Sequence, residues 1–243
     1  MKIAMLVEYD GTCYAGWQRQ KNAVTVQEKI EDALKTLGKG DITVYGAGRT
    51  DSGVHARGQC AHFEIDANIP AEKYMFILNT LLPKDIRITK SWQADDDFHC
   101  RFSAKGKRYI YRIFNAQYSS ALMGRFTCFV PEKLDVNKMC AAAEYIKGTH
   151  DFASFCAAGG SAKTTVRTVT RLDILKNDDI IEIIVEGNGF LYNMVRIIAG
   201  TLIEVGKGKR TVQSVFDAVE GKNRTSAGAT ADACGLTMDE VFY

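Results

Sequence analysis

Residues 45 to 59, "YGAGRTDSGVHARGQ", set Arg49, Asp51 and His55 among four glycines in a stretch with no apolar period. An aspartate in such a frame can close a surface turn, because its side chain bonds nearby backbone and glycine tolerates positive φ. It can also be held out to a substrate. The wider grouping favours the second use. Arg49, two residues before Asp51, is placed to hold it ionised, and Gly46, Gly48 and Gly53 remove side chains that would block an approaching molecule. His55 has no recognisable partner in the sequence and is read as structural.

A second stretch with chemical content is 101–112, "RFSAKGKRYIYR", where Arg101, Lys105, Lys107, Arg108 and Arg112 occur without an acidic residue and Phe102, Tyr109 and Tyr111 are interleaved. Cations that meet phosphates and aromatic faces that stack on bases are the ingredients of single-stranded RNA binding. The same residues also suit an ordinary strand, with Tyr109 and Tyr111 on one side and the basic groups solvated. Smaller basic groups at Arg19 and Lys21, at Lys207, Lys209 and Arg210, and at Lys222 and Arg224 fall in loops or helix ends, where together they could line a track for a nucleic-acid backbone. In "FLYNMVRIIAGTLIEVG", Arg196 sits among Met194, Val195, Ile197 and Ile198. Either it enters apolar surroundings with a carboxylate or phosphate partner, or it lies on the exposed stripe of a helix.

The elements that must position these residues follow from periodicity. The chain has 243 residues, 46% of them hydrophobic, enough for one large domain or two of ordinary size. Residues 2–9 read as a strand. "TVQEKIEDALKTLG" opens with the capping box Thr25-x-x-Glu28, repeats Val26, Ile30, Ala33, Leu34 and Leu37 at helical spacing, and is expected to stop at Gly38. Strands over 42–47 and 57–65, a helix from Pro70 carrying Tyr74, Ile77, Leu78 and Leu81, and a strand over 85–93 complete the order β-α-β-β-α-β. The second half is expected to repeat it, with strands over 107–116 and 125–130, a helix over 135–147, strands over 164–175 and 180–187, helices over 192–205 and 211–220, and a last strand near 235–242.

The expected architecture is therefore α+β: two ferredoxin-like (split βαβ) halves, their antiparallel sheets joined into one continuous sheet with helices on one face. The expected division is 1–104, carrying the Asp51 loop, and 105–243, contributing to the active-site cleft. Thirty-one basic against 29 acidic residues give only +2, so a nucleic-acid partner depends on where the cations lie. Seven cysteines without a C-x-x-C or H-x-x-x-H pair signal neither a disulfide framework nor a zinc site, and point to a reducing cytoplasm. "MKIAMLVEYDG" turns acidic at Glu8 after at most five apolar residues in a row, which is too short for a signal peptide or a membrane span.

"GAGRTDSGVHARGQ" resembles the catalytic motif of pseudouridine synthases. "EYDGTCYAGWQRQ", "LNTLLPKDI", "FHCRFSAKGKRYIYRIFN", "FLYNMVRIIAGTLIEVG" and "RTSAGATADACGLTMDEVFY" are similar to the other signatures of the tRNA pseudouridine synthase A family. The likeness runs from about residue 3 to the last residue. It implies two α+β domains working as a homodimer on tRNA, isomerising uridine at nucleotides 38, 39 and 40 of the anticodon arm, with neither cofactor nor catalytic metal and no membrane. On the same resemblance, Asp51 is the essential carboxylate acting at the ribose, Arg49 pairs with it and helps displace the target base, and Tyr109 stacks on the detached uracil with Tyr111 as support. Arg196 reaches the aspartate from the second half of the chain. Cys100 stands where alanine is usual in the family, and Ala231-Asp232 where Ala-Pro is frequent. Two other functions fit parts of the pattern. A non-catalytic RNA-binding module would use the sheet and its aromatics but has no need of Asp51 in its glycine frame. A phosphate-binding enzyme would need a G-x-x-x-x-G-K-[ST] or strand-loop-helix G-x-G-x-x-G context, which the sequence lacks.

Overall fold

The structure is a computed structural model that describes residues 1–37, 40–160 and 162–243. Its strands are β1 (Lys2–Tyr9), β2 (Tyr45–Gly46), β3 (His55–Glu64), β4 (Ile86–Gln93), β5 (Gly106–Phe114), β6 (Cys128–Phe129), β7 (Gly148–Asp151), β8 (Val166–Asn177), β9 (Ile180–Gly187) and β10 (Leu236–Phe242). Its α-helices are α1 (Val26–Lys35), α2 (Tyr74–Leu81), α3 (Val136–Ala143), α4 (Met194–Gly206) and α5 (Gln213–Gly221). The fold is mixed α+β with mostly antiparallel strand pairing, and it divides into two compact units, Met1–Lys105 with Thr237–Tyr243, and Gly106–Leu236.

In the first unit β1 lies between β4 and β3, antiparallel to both. β2 pairs antiparallel with the C-terminal half of β3 (Tyr45↔His62) and Thr237–Met238 pairs parallel with its first residues (Thr237↔His55). α1 starts as its capping box dictates, with Thr25 Oγ1 accepting from Glu28 N at 3.3 Å, and it buries Val26, Ile30, Ala33 and Leu34. Gly38, the expected stop, lies outside the described residues. The strand expected over 42–47 shrinks to Tyr45–Gly46 because Val44 N donates to the Glu31 carboxylate at 3.0 Å instead of to a neighbouring strand. Strand β3 starts two residues before the expected 57, since His55 and Ala56 pair with the last strand. That pairing also brings Thr237–Tyr243 into the first unit, although a division at residue 104 assigns it to the second. Lys105 N donates to Phe242 O at 2.8 Å.

The second unit orders its strands β5-β9-β8-β7, all antiparallel, with β6 parallel on β5. It does not simply repeat the first. The four-residue β7, which has no apolar alternation, is added on β8, and the strand expected over 125–130 is only Cys128–Phe129. Helix α4 is the core element, with eleven of its thirteen residues buried, and α3 packs on it and on β8.

His62 is buried in β3 with its ring stacked on Tyr45, centroids 5.1 Å apart, and its Nδ1 accepts from Cys100 N at 3.4 Å. Burial, with His99 beside it, lowers its pKa to about 4. The native state thus holds the ring neutral, whereas the unfolded chain protonates it below the ordinary value of about 6.5. The stabilisation from this site is present above pH ~6.5 and is lost as pH falls towards 4. Denaturant titrations at several pH values are expected to show stability falling across that window, with a shallower fall in His62→Phe. An equal slope in both proteins would contradict the assignment.

Candidate active site

The loop between β2 and β3 carries Asp51, and its backbone is held at nearly every residue. Ala47 N donates to Cys60 O at 2.8 Å, the last strand-like bond. Beyond it the Gln59 side-chain amide takes over, Nε2 donating to Gly48 O at 2.6 Å and Oε1 accepting from Gly48 N at 3.3 Å. Thr50 shares a 2.7 Å hydroxyl bond with the buried Tyr9, and its carbonyl accepts from Trp17 N at 3.1 Å. Asp51 to Val54 is a β-turn closed by Val54 N donating to Asp51 O at 3.1 Å, with Gly53 at φ 77° in the third position. Those are the marks of a type II turn, which a glycine there permits without strain. Tyr14 O accepts from both Gly53 N and Ser52 Oγ at 3.2 Å.

The partner segment, "DGTCYAGW", comes directly after β1. Tyr14 is anchored by its hydroxyl donating to Asp85 Oδ1 at 2.7 Å. Gly16, at φ 88°, lies so close to the loop that a Cβ there would come within 2.3 Å of Thr50 O. Trp17 is fully buried and packs against Gly46, where a Cβ would come within 2.4 Å of its Nε1. Gly46 is therefore required by packing inside the unit. Asp51 itself is half-buried.

Arg49 is exposed and donates from Nε to Gln18 Oε1 at 3.2 Å. That bond holds its guanidinium to the segment following Trp17, which adjacency in the sequence does not reveal. His55 is buried and its Nδ1 accepts from Gly11 N at 2.9 Å, closing the turn that follows β1.

In the second unit, Tyr109 and Tyr111 lie on β5 and both are buried. Tyr109 meets Phe190 edge to face at 5.2 Å. Tyr111 is wholly enclosed, donates its hydroxyl to Asp232 O at 2.9 Å, and is kept neutral by a pKa pushed far up by burial. Arg196, on α4, is half-buried, with Nε donating to Ala231 O at 2.8 Å and a second nitrogen to Asn193 Oδ1 at 2.9 Å. Its own carbonyl accepts from Ala231 N at 3.1 Å, so the residue binds the 229–231 strap to the helix through backbone and side chain together.

The basic run of 101–112 has acidic partners that its own segment conceals. Arg108 and Arg112 each donate from Nε at 2.7 Å to the glutamate opposite on β9, Glu186 and Glu182. Several scattered cations are likewise paired within the chain: Arg19 with Glu31, Lys207 with Glu132, Arg210 with Glu204 and Lys222 with Asp151. Local sequence could not show these pairs, because each lies across a ladder or a loop.

Among the described residues one group has metal-ligand chemistry, His62, His99 and Cys100, whose ligand atoms lie within 4.8 Å of one another. The fit is poor. The Nδ1 atoms of both histidines accept backbone N–H groups, from Cys100 in one case and from Arg101 and Phe102 in the other. That arrangement puts the ring protons on Nε2 and leaves donors where a metal needs lone pairs.

The family model described as tRNA pseudouridine synthase matches residues 5–103 and 141–243. The chain belongs to the tRNA pseudouridine synthase family. Curated relatives named tRNA pseudouridine synthase A include those of Acetivibrio thermocellus, 49% identical over 99% of both chains, and Ruminiclostridium cellulolyticum, 50% identical over all of this chain and 99% of the other. That of Thermoanaerobacter sp. (strain X514) is 47% identical over 99% of both. Arg49, Asp51 and Arg196 fall within the residues matched to the tRNA pseudouridine synthase model, whereas Tyr109 and Tyr111 lie in the interval between its two matched stretches. Sequence reasoning missed Tyr9, Tyr14, Gly16 and Gln59, which fix the loop. Their only signal was membership of two blocks similar to the tRNA pseudouridine synthases.

Proposed function

We propose that the chain isomerises uridine to pseudouridine in tRNA, at nucleotides 38, 39 and 40 of the anticodon arm, with Asp51 as the catalytic residue. The observation that carries this reading is the full-length likeness to tRNA pseudouridine synthases, together with a pinned backbone on both sides of Asp51. In the reaction the bond from C1′ to N1 of uracil breaks, the base turns, a bond from C1′ to C5 forms, and the C5 proton leaves while N1 gains one. The Asp51 carboxylate serves at the ribose, as nucleophile on C1′ or by taking the 2′ proton; an anion there offsets the electron deficiency that develops at C1′ as the base departs.

Arg49, exposed beside Asp51, is proposed to help displace the target base, which resists by a few kcal/mol of lost stacking. Tyr109 is proposed to stack on the detached uracil, with the enclosed Tyr111 supporting its strand. No cofactor is required by this chemistry. The β-α-β-β-α-β order of the first unit supports a ferredoxin-like reading of that half. Seven free cysteines suit a reducing cytoplasm, and no helix among the described residues is long and apolar enough to cross a membrane.

A homodimer is part of the same proposal. Tyr118, Leu122, Met123, Phe126 and Phe129 are all exposed within twelve residues whose only charge is Arg125, a composition suited to a protein interface and poor for a phosphate backbone. Sedimentation should give a mass near twice 26.9 kDa, reduced towards the monomer by Leu122→Asp with Phe126→Asp; a monomeric wild type would remove the proposal.

The activity is tested by tritium release from tRNA carrying 5-³H uridine in the anticodon arm, since forming pseudouridine expels the C5 hydrogen. Wild type is expected to release tritium, and Asp51→Asn to fold normally, bind tRNA and turn over ~10³-fold more slowly or less. Binding without release by the wild type would favour the non-catalytic RNA-binding module.

A further inference from the structure

Gln59 is wholly buried on β3, opposite Val7 of β1, where an apolar side chain would be the ordinary filling. A buried amide is costly unless its groups are met. Here they are met by the catalytic loop. After Ala47 the β2 ladder has ended, and Gly48 presents an N–H and a C=O with no strand beside them. The Gln59 side chain supplies what a neighbouring peptide group would: an N–H to Gly48 O at 2.6 Å and a carbonyl oxygen to Gly48 N at 3.3 Å.

The Tyr9 hydroxyl extends the connection. It bonds Thr50 Oγ1 at 2.7 Å and also reaches the Gln59 side chain, and burial drives its pKa far up, so the phenol stays neutral. Two adjacent strands thus hold the loop at Gly48 and Thr50, the residues on either side of Arg49, and Thr50 is the residue before Asp51. A fault at this anchor moves both groups assigned to the chemistry. A reacting group misplaced by about 1 Å can cost a hundredfold in rate with little change in binding.

We propose that Gln59 is a positioning residue for the isomerisation, acting with Tyr9 through Gly48 and Thr50 to set where the Asp51 carboxylate stands. The inference rests on the functional reading above. It differs from a role in stability alone, which would lower the folded fraction and leave turnover by folded molecules unchanged.

The test compares wild type, Gln59→Leu, Thr50→Val and Thr50→Ser for tritium release from 5-³H uridine tRNA, with kcat and KM separated, well below each protein's melting temperature. Gln59→Leu is expected to lose about a hundredfold in kcat with KM within about threefold of wild type. Thr50→Val, which removes the hydroxyl that Tyr9 bonds, should fall in the same direction, and Thr50→Ser, which keeps it, should recover most of the rate. If Gln59→Leu does not fold, the two Thr50 variants decide. A kcat within threefold of wild type in Thr50→Val, or in a folded Gln59→Leu, would overturn the proposal. No release by wild type would instead remove the functional reading on which it depends.

Discussion

The first unit is organised around one requirement: the backbone around Asp51 leaves the sheet and still has its polar groups paired. A loop that departs from a ladder exposes N–H and C=O groups that must find water, side chains or other backbone. Water would leave the loop free to move. In this chain the partners are a buried amide, a buried phenol and the segment of residues 14 to 17, so the loop is irregular in path and fixed in place. The glycines follow from the same requirement. Gly16 lets the partner segment come close, and Gly53 lets the turn after Asp51 close. Binding and catalytic groups are commonly carried on loops set by a rigid scaffold, and here the bonds that do the setting can be named one by one.

The electrostatics have a similar logic. A chain of net charge +2 that binds a polyanion cannot rely on overall attraction. Arg108, Arg112, Arg19, Lys207 and Arg210 are matched by carboxylates in partly or fully exposed pairs, where solvent screens most of the attraction. Their effect is to order side chains more than to stabilise the fold. Arg196 differs, since its bonds tie the start of α4 to the 229–231 strap.

The elements legible in the sequence were those with a local period. β1, α1 with its Thr25 cap, α2, β4, β5, β8, β9 and α4 lie where apolar spacing puts them, within two residues at most ends. What was not legible was non-local. β7 has no alternation to announce it. The membership of Thr237–Tyr243 depends on pairing with His55 and Ala56, three-quarters of the chain length away. The 42–47 strand was shortened by Glu31, a residue on another element. At the candidate site, Asp51 and Arg49 could be singled out by residue type and spacing, but the bond from Arg49 to Gln18 and the roles of Gln59 and Tyr9 could not. A buried amide reads like any other strand residue until its partner is located.

The Asp51 loop is held by specific bonds in the free protein, before any substrate arrives. Native-state amide hydrogen exchange tests it most directly, read at Trp17, Gly48, Gly53 and Val54, whose N–H groups donate to Thr50 O, Gln59 Oε1, Tyr14 O and Asp51 O. Strong protection is expected at all four, approaching that of β3, because opening them requires breaking the scaffold. Exchange at the rate of a frayed terminus, with β3 itself protected, would show a mobile loop and contradict it.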